Sequence, residues 1–128
     1  MAQRADRILV VSPSDRQPGP QTPGMDRQEA FAIDHLWAGS VRLEAGAVSG
    51  WHHHGEHETV AYVLTGSVKF EFGPGGSESV EAEPGDFVYV PKRLVHRESN
   101  PSAGPADLIG IRVGRGESTF DVDGTAEG

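Results

Sequence analysis

Residues 51–66, WHHHGEHETVAYVLTG, contain a histidine cluster that leads directly into a β-prone apolar run closed by Gly66. Four of the six histidines of the chain lie in this stretch: His52, His53, His54 and His57. Imidazole and carboxylate are the ligands that hold divalent transition metals in nitrogen and oxygen sites. Side chains two residues apart on a strand point to the same side, so His52 and His54 can reach one ion while His53 points away. Because the cluster is internal and adjoins a strand, it favours a metal site over a terminal purification tag or a solvated loop.

The composition indicates a single turn-rich domain. The chain has 128 residues without internal repeats, and its 17 glycines and 9 prolines favour an all-β protein over a helical one. Apolar runs are too short for a transmembrane helix or a signal peptide, and the absence of cysteine excludes disulfides and thiolate ligands. The net charge of −8 opposes sequence-independent attraction to nucleic acid or anionic membranes. We therefore expect a soluble, cytoplasmic protein with no nucleic-acid or membrane partner.

The N-terminal residues differ in composition from the rest of the chain. Residues 1–24 hold a short apolar run, 8–11, followed by a segment too rich in proline, glycine and polar residues to pack a core. We interpret residues 1–24 as an arm, with 8–11 as a candidate edge or swapped strand, and residues 25–128 as one domain. Residues 25–32, MDRQEAFA, are a candidate for a turn of helix. Arg27 in this segment is interpreted as exposed, with the alternative that it reaches the mouth of the site.

Alternating apolar and polar residues predict a series of short strands from Leu36 onward. Val41 and Leu43 share one face of the first strand, and the same alternation recurs at Val68, Phe70 and Phe72. Residues 73–76, GPGG, are typical of a hairpin turn, and 108–113 form the last clear strand. Short strands separated by Gly/Pro turns are typical of a β-sandwich or barrel, here spanning about residues 36–113.

Two ordered sets of residues in this region form recognisable motifs. The first consists of Gly46, His52, His54, Glu58 and Gly66, and the second of Gly85, Pro91, His96 and Asn100. In order and spacing they resemble the two motifs of the cupin superfamily, small β-barrels of the jelly-roll type that bind a metal at their centre. The resemblance implies an all-β, jelly-roll (double-stranded β-helix) cupin barrel with His52, His54 and His96 as metal ligands. Arg93 stands where the second motif usually has glycine, so that turn is expected to form without a residue that freely adopts a positive φ.

The remaining ligand of the first motif is open between His57 and Glu58. The spacing back from Gly66 assigns the glutamate position of the motif to Thr59, one residue after Glu58. Neighbouring residues of a strand point to opposite faces, so His57 shares the inward parity of Thr59 and Glu58 points outward. This parity favours His57 as a ligand, whereas one bulged residue would reverse it and favour Glu58. Glu58 is also the candidate catalytic residue.

A metal-dependent enzyme acting on a small organic molecule is the favoured function. The resemblance implies one divalent transition ion (Fe, Mn, Ni, Zn or Cu) with positions open for substrate, water or O₂. Analogy favours an oxygenase that dioxygenates an enol or phenol; an isomerase or lyase and a non-catalytic small-molecule or metal-binding protein are the alternatives. Most aromatic residues on the strands are expected in the core, with one or two lining an apolar pocket. Barrels of this type often pair through edge strands, so we expect a homodimer.

Overall fold

Within residues 6–125, which the computed structural model describes, the chain forms eleven β-strands joined by turns. In chain order they are β1 (Gln17–Pro18), β2 (Asp26–Ile33), β3 (Leu36–Leu43), β4 (Trp51–His53), β5 (Glu58–Thr65), β6 (Val68–Phe72), β7 (Glu78–Ala82), β8 (Phe87–Val90), β9 (Arg97–Ser99), β10 (Ala106–Val113) and β11 (Phe120–Val122). Residues 1–5 of the predicted arm and 126–128 of the predicted domain lie outside the described residues. None of the helical segments in 6–125 is long and apolar enough to cross a bilayer.

The strands form one large sheet and two small ones. The large sheet has the order β1-β2-β3-β10-β5-β8, and the small sheets have the orders β7-β6-β9 and β11-β4. Strands β3, β10 and β5 are hydrogen-bonded neighbours although they are distant in sequence, and they pair antiparallel. Such crossovers between non-consecutive strands are typical of a jelly roll. The predicted all-β jelly-roll fold is therefore confirmed.

The hydrophobic core lies between the large sheet and the β7-β6-β9 sheet. The alternation predicted from the sequence is observed, since Val41 and Leu43 are buried on β3 and Val68 and Phe70 on β6. Both sheets supply the core cluster, which comprises Met25, Val41, Leu43, Ala61, Val63, Val68, Phe70, Ala82, Ala106 and Leu108. Burial of these side chains, each worth up to about 1.5–3 kcal/mol for the larger ones, holds the two sheets together.

The N-terminal region departs from one expectation. Residues 25–32 do not form a helical turn, because β2 pairs with β3 along its length, with one irregularity between Glu29 and Phe31. Backbone hydrogen bonds to a neighbouring strand outweigh the weak helical propensity of a short segment. Strand β1 extends the sheet beyond β2, whereas Ile8 and Val10 are exposed and lie outside the strands. The division of arm and domain at residue 24 stays a prediction.

The turn that precedes His96 contains Arg93 in the left-handed region, with φ of 59°. The turn thus forms without glycine, and Arg93 itself adopts the positive φ. The Arg93 backbone N–H donates to the Gly55 carbonyl at 2.9 Å, and its side chain forms an ion pair with Glu56. These contacts offset a strain of about 1 kcal/mol and tie the loop before His96 to the turn after His54.

Asn100, the last residue of the second motif, joins the segment after β9 to the end of β3 and to the loop before β10. Its side chain is buried, donates to the carbonyls of Leu43 and Gly104 at 2.9 Å, and accepts from the Ser102 N–H at 2.9 Å. Its backbone carbonyl accepts from the Gly46 N–H at 2.9 Å. A single buried amide therefore satisfies polar groups of β3 and of the loop before β10.

Replacing Asn100 by alanine should destabilise the barrel. The Leu43 carbonyl would lose its side-chain donor in a dry environment, and we expect the free energy of unfolding to fall by about 2 kcal/mol or more. Urea denaturation followed by circular dichroism measures the change. Ser102→Ala, in the same loop, is the control and should cost less than half as much. Equal stability of Asn100→Ala and the wild type would contradict this role.

Candidate metal centre

The two histidine motifs meet through a direct pair of backbone hydrogen bonds. The His52 N–H donates to the His96 carbonyl, and the His96 N–H donates to the His52 carbonyl, each at 2.9 Å. Directly opposed residues of an antiparallel pair project their side chains to the same face, and His54 follows His52 by two residues. The three rings consequently converge, with centroids 4.4 Å apart for His52 and His96 and 5.2 Å apart for His52 and His54.

Hydrogen bonds to the backbone determine which nitrogen of each ring faces inward. His52 Nδ1 donates to the Gly50 carbonyl at 2.9 Å, His54 Nδ1 to Ser118 at 2.7 Å, and His96 Nδ1 to Leu94 at 2.8 Å. A carbonyl only accepts, so each Nδ1 carries the proton and each Nε2 of a neutral ring keeps its lone pair. One ligand atom from each of the three residues lies within 4.8 Å of the others. This pattern of backbone acceptors behind the ligating nitrogens is typical of metal-binding histidines.

Burial keeps the imidazoles of His54 and His96 neutral. All three side chains are almost completely buried. Burial lowers the pKa of His54 to about 2, with further lowering by Arg112, His96 and His52. Burial also lowers the pKa of His96 to about 4, against the opposing charge of Glu98. Both rings are therefore unprotonated at neutral pH and available as donors.

Glu98 supplies a fourth donor that the sequence analysis did not identify. Its Oε2 lies 3.1 Å from His52 Nε2 and 3.8 Å from His96 Nε2. Burial alone would raise the pKa of Glu98, but the contact with His52 and the charge of Arg27 lower it below its ordinary value. The sequence held a signal for it, because Glu98 follows His96 by two residues and therefore shares its face in an extended segment. The structure buries both side chains.

The three histidine nitrogens could hold a divalent transition ion, with the Glu98 carboxylate beside two of them. Two ligand atoms at about 2.1 Å from one ion and about 90–110° apart are separated by about 3.0–3.4 Å, close to the His52–Glu98 distance. His52 Nε2 and the Glu98 carboxylate are both acceptors, so a cation between them satisfies both groups. Three imidazole nitrogens and one carboxylate oxygen form a set suited to Fe, Mn, Ni, Zn or Cu.

The structure does not bring His57 into this group. The chain turns between His54 and His57, with Gly55 at φ of 57° and the His57 N–H donating to the His54 carbonyl at 3.0 Å. His57 is buried, but its Nδ1 donates to the same carbonyl at 3.2 Å and its ring packs against Gly114. The turn interrupts the strand alternation on which the prediction of His57 as a ligand rested.

Glu58 points away from the histidines, as the parity of β5 predicted. It is exposed on the outer face of the strand, where its carboxylate accepts a hydrogen bond from the Tyr89 hydroxyl at 2.5 Å. The next residue, Thr59, is buried. Glu58 therefore does not lie with the histidines, and its catalytic role stays a prediction.

Arg27 is buried beside the histidines, so its interpretation as an exposed residue is wrong. Its Nη1 donates to Thr22 Oγ1 at 2.6 Å and to the Pro20 carbonyl at 3.1 Å, and its Nη2 lies 3.5 Å from His52 Nε2. Burial lowers its pKa, while Glu98 opposes that shift. Arg27 lies on the inward face of β2, between exposed neighbours. The prediction of a helical turn for residues 25–32 gave no reason to expect this burial.

An apolar cavity of about 290 Å³ leads to His96. Its lining consists of Phe70, Phe72, Val80, Val88, Tyr89, Val90, Pro91, Leu94 and His96. A small cavity with apolar walls and a few polar groups at its end is the usual form of a small-molecule site. The expected apolar pocket beside the histidines is therefore present, although Phe87 and Tyr89, expected in the core, are 75% and 58% exposed.

Comparison with known proteins places the chain in a family. The sequence profile described as "Cupin domain" matches residues 39–114, which is more than half of the chain. This protein therefore belongs to the cupin family. No protein with a curated function matches its sequence.

Several solved structures share its fold at low identity. KdgF from Halomonas sp. is 22% identical with a TM-score of 0.69, covering 84% of this chain and 96% of its own. The polyketide cyclase RemF from Streptomyces resistomycificus is 16% identical with a TM-score of 0.72, covering 91% and 86%. A sugar phosphate isomerase of the cupin superfamily from Silicibacter pomeroyi is 22% identical with a TM-score of 0.63, covering 78% and 66%. At these identities the likeness concerns the fold.

Replacing His96 by alanine should remove most of the bound metal, because His96 is the histidine that the second motif contributes. Metal content after incubation with Mn(II), Fe(II), Ni(II) or Zn(II) and desalting, measured by mass spectrometry, tests this. His57→Ala is the matched control, since its ring lies outside the group, and it should keep the ion. A full complement of metal in His96→Ala would contradict the assignment. Loss of metal in His57→Ala would instead support the prediction from the sequence.

Two isosteric variants separate the two glutamates. Glu98→Gln should weaken metal affinity by about tenfold or more, because the amide removes a charged donor 3.1 Å from His52. Glu58→Gln should leave the affinity unchanged, because Glu58 is exposed on the outer face. Competition titrations with a chelating dye measure both affinities. The opposite ranking would show that Glu58, and not Glu98, is the ligand.

Proposed function

We propose that this cupin is a metal-dependent enzyme that acts on a small organic molecule, and that its reaction is of the oxygenase type. The observation that carries the proposal is the convergence of His52, His54 and His96, with the Glu98 carboxylate 3.1 Å from His52 and an apolar cavity of about 290 Å³ that reaches His96. Three or four protein donors leave positions free on an ion that accepts six ligands. The alternatives are metal-dependent isomerase or lyase chemistry and non-catalytic binding.

The protein's own residues would set the conditions for the reaction. The apolar walls formed by Phe70, Val88 and Leu94 would exclude water and bury the carbon skeleton of the substrate. The Nδ1 hydrogen bonds to Gly50, Ser118 and Leu94 hold the rings in one tautomer. A bound divalent ion would supply Lewis acidity and, if it is Fe or Mn, electron exchange with O₂. In a dioxygenation both oxygen atoms enter the product, so no external reductant is required.

Metal analysis of the natively produced protein, followed by O₂ uptake with a panel of enols and phenols, tests the proposal. Metal-dependent O₂ consumption that matches product formation would support an oxygenase. Turnover of the same protein under anaerobic conditions would point to isomerase or lyase chemistry, for which the low-identity likeness to a sugar phosphate isomerase is a starting point. Binding without turnover would favour the non-catalytic alternative.

We also propose that two copies pair through the outer face of the large sheet. Apolar side chains on adjacent strands are exposed there, including Val60 on β5, Phe87 and Tyr89 on β8, and Ile109 and Ile111 on β10. They are neighbours in the strand register, so they form one continuous surface. A contiguous apolar face of this kind is typical of an interaction surface. It differs from the edge-strand pairing that the sequence suggested.

A charge on this face should prevent pairing. Ile111→Lys is expected to convert a dimer to a monomer at micromolar concentration, measured by light scattering coupled to size exclusion. Val48→Lys, at an exposed position outside the large sheet, is the control and should leave the dimer intact. A wild-type protein that is strictly monomeric at micromolar concentration would remove the proposal.

A further inference from the structure

Four side chains have buried polar atoms that find no hydrogen-bond partner among the described residues: Arg27 at Nε, Thr59 and Thr119 at their hydroxyls, and Arg112 at both Nε and Nη1. Arg112 has two such atoms, and Thr59 is its direct neighbour in the sheet. Arg112 is 3% exposed and Thr59 is 5% exposed. Buried donors without partners are rare because each costs about 1–3 kcal/mol. Because the unpartnered donors of Arg112 and Thr59 are adjacent, they indicate a bound ligand that would accept hydrogen bonds from both.

These two residues are adjacent on the same inner face. Thr59 on β5 and Arg112 on β10 are directly opposed in the strand register, and directly opposed residues share a face. The Arg112 guanidinium lies over the Trp37 ring, 4.7 Å from its centroid, which orients it. Trp37 is opposite Arg112 on the next strand, β3, so the sheet itself sets this arrangement.

The same row of residues reaches the apolar cavity. Thr59 is directly opposed to Val90 on β8, and Val90 lines the cavity that leads to His96. Arg112 is also near the histidines, since its charge lowers the pKa of His54. Thr59 is therefore one strand away from the cavity wall at Val90, and Arg112 is one strand further, on the side of the histidines.

The buried charges in this region do not balance. Arg27 and Arg112 are buried cations, and the buried Glu98 carboxylate acts on both of them, while the exposed Asp121 acts on Arg27. Burial and the charge of Arg27 lower the pKa of Arg112 to about 9, which still leaves it protonated at neutral pH. A divalent ion would add to the positive charge. An isolated buried cation is costly unless an anion compensates it.

We propose that the substrate carries a carboxylate, which binds Arg112 and Thr59, while its apolar body occupies the cavity beside His96. This inference deepens the proposed function by naming the chemical class of its substrate. A carboxylate is favoured over a phosphate because its two coplanar oxygens match the few unpartnered donors of Arg112 and Thr59. Arginine and a hydroxyl are donors well suited to a carboxylate.

Isothermal titration of the Zn(II)-loaded protein with benzoate, benzamide and phenyl phosphate tests the proposal. Benzoate and benzamide have the same shape but differ in charge. Benzoate should bind about tenfold tighter than benzamide or more, and phenyl phosphate more weakly than benzoate. Equal affinities for benzoate and benzamide would overturn the proposal. Tighter binding of phenyl phosphate would show that the site prefers phosphate and would overturn the choice of carboxylate.

Variants separate binding by Arg112 from binding by the metal. Arg112→Gln should lose benzoate affinity by about tenfold or more while its metal content and benzamide affinity stay unchanged. Arg42→Gln, an exposed arginine on the neighbouring strand β3, is the matched control and should bind benzoate like the wild type. Wild-type benzoate affinity in a metal-loaded Arg112→Gln variant would overturn the proposal.

A second substitution decides the question if Arg112→Gln fails to fold. Thr59→Glu places a carboxylate opposite Arg112 on the same face, so it should abolish benzoate binding and raise Tm above that of Thr59→Gln. Unchanged benzoate binding in Thr59→Glu would contradict the site. A protein that binds metal but shows no charge selectivity would fail only this inference. A protein that binds benzoate through Arg112 but no metal would fail the proposed function instead.

Discussion

The two reciprocal hydrogen bonds between His52 and His96 connect the two halves of the site. Each residue donates its N–H to the carbonyl of the other at 2.9 Å, which puts the first and second motifs in register. The antiparallel pairing sends both rings to one side, and the two-residue period adds His54 from the first motif and Glu98 from the second. The donor set is therefore a consequence of one strand pairing rather than of four separately placed side chains.

Much of the interior around this pairing is polar. A core selected only for stability would fill the barrel with apolar side chains, as it does among Leu43, Val63 and Val68. Near the histidines the chain instead buries Arg27, Arg112 and Glu98, whose desolvation opposes folding. Hydrogen bonds within the chain offset part of this desolvation, since Thr22 and the Pro20 carbonyl accept from the Arg27 guanidinium. The unpartnered groups of Arg112 and the Glu98 carboxylate fit the proposals of an anionic ligand and of a bound metal ion.

The loops beside the site are held by a small number of specific contacts. Arg93 has a strained backbone conformation with positive φ, and its N–H joins the loop before His96 to the turn after His54. Asn100 joins the end of the second motif to β3 and to the loop before β10. Because a metal site requires its side chains to be positioned to within a fraction of an ångström, such contacts matter for the site as well as for the fold.

The sequence by itself determined the all-β jelly roll, the family, and the convergence of His52, His54 and His96. These follow from local rules, namely the two-residue period of strands, the turns at glycine and proline, and the spacing of the two motifs. Only the tertiary structure excluded His57 from the group, because a turn between His54 and His57 interrupts the period that predicted it. Only the tertiary structure showed that Arg27, Glu98 and Arg112 are buried together near the histidines. Their proximity depends on the register of strands that are distant in the chain. Local periodicity can assign a face to a residue, but it cannot say which other residues share that space.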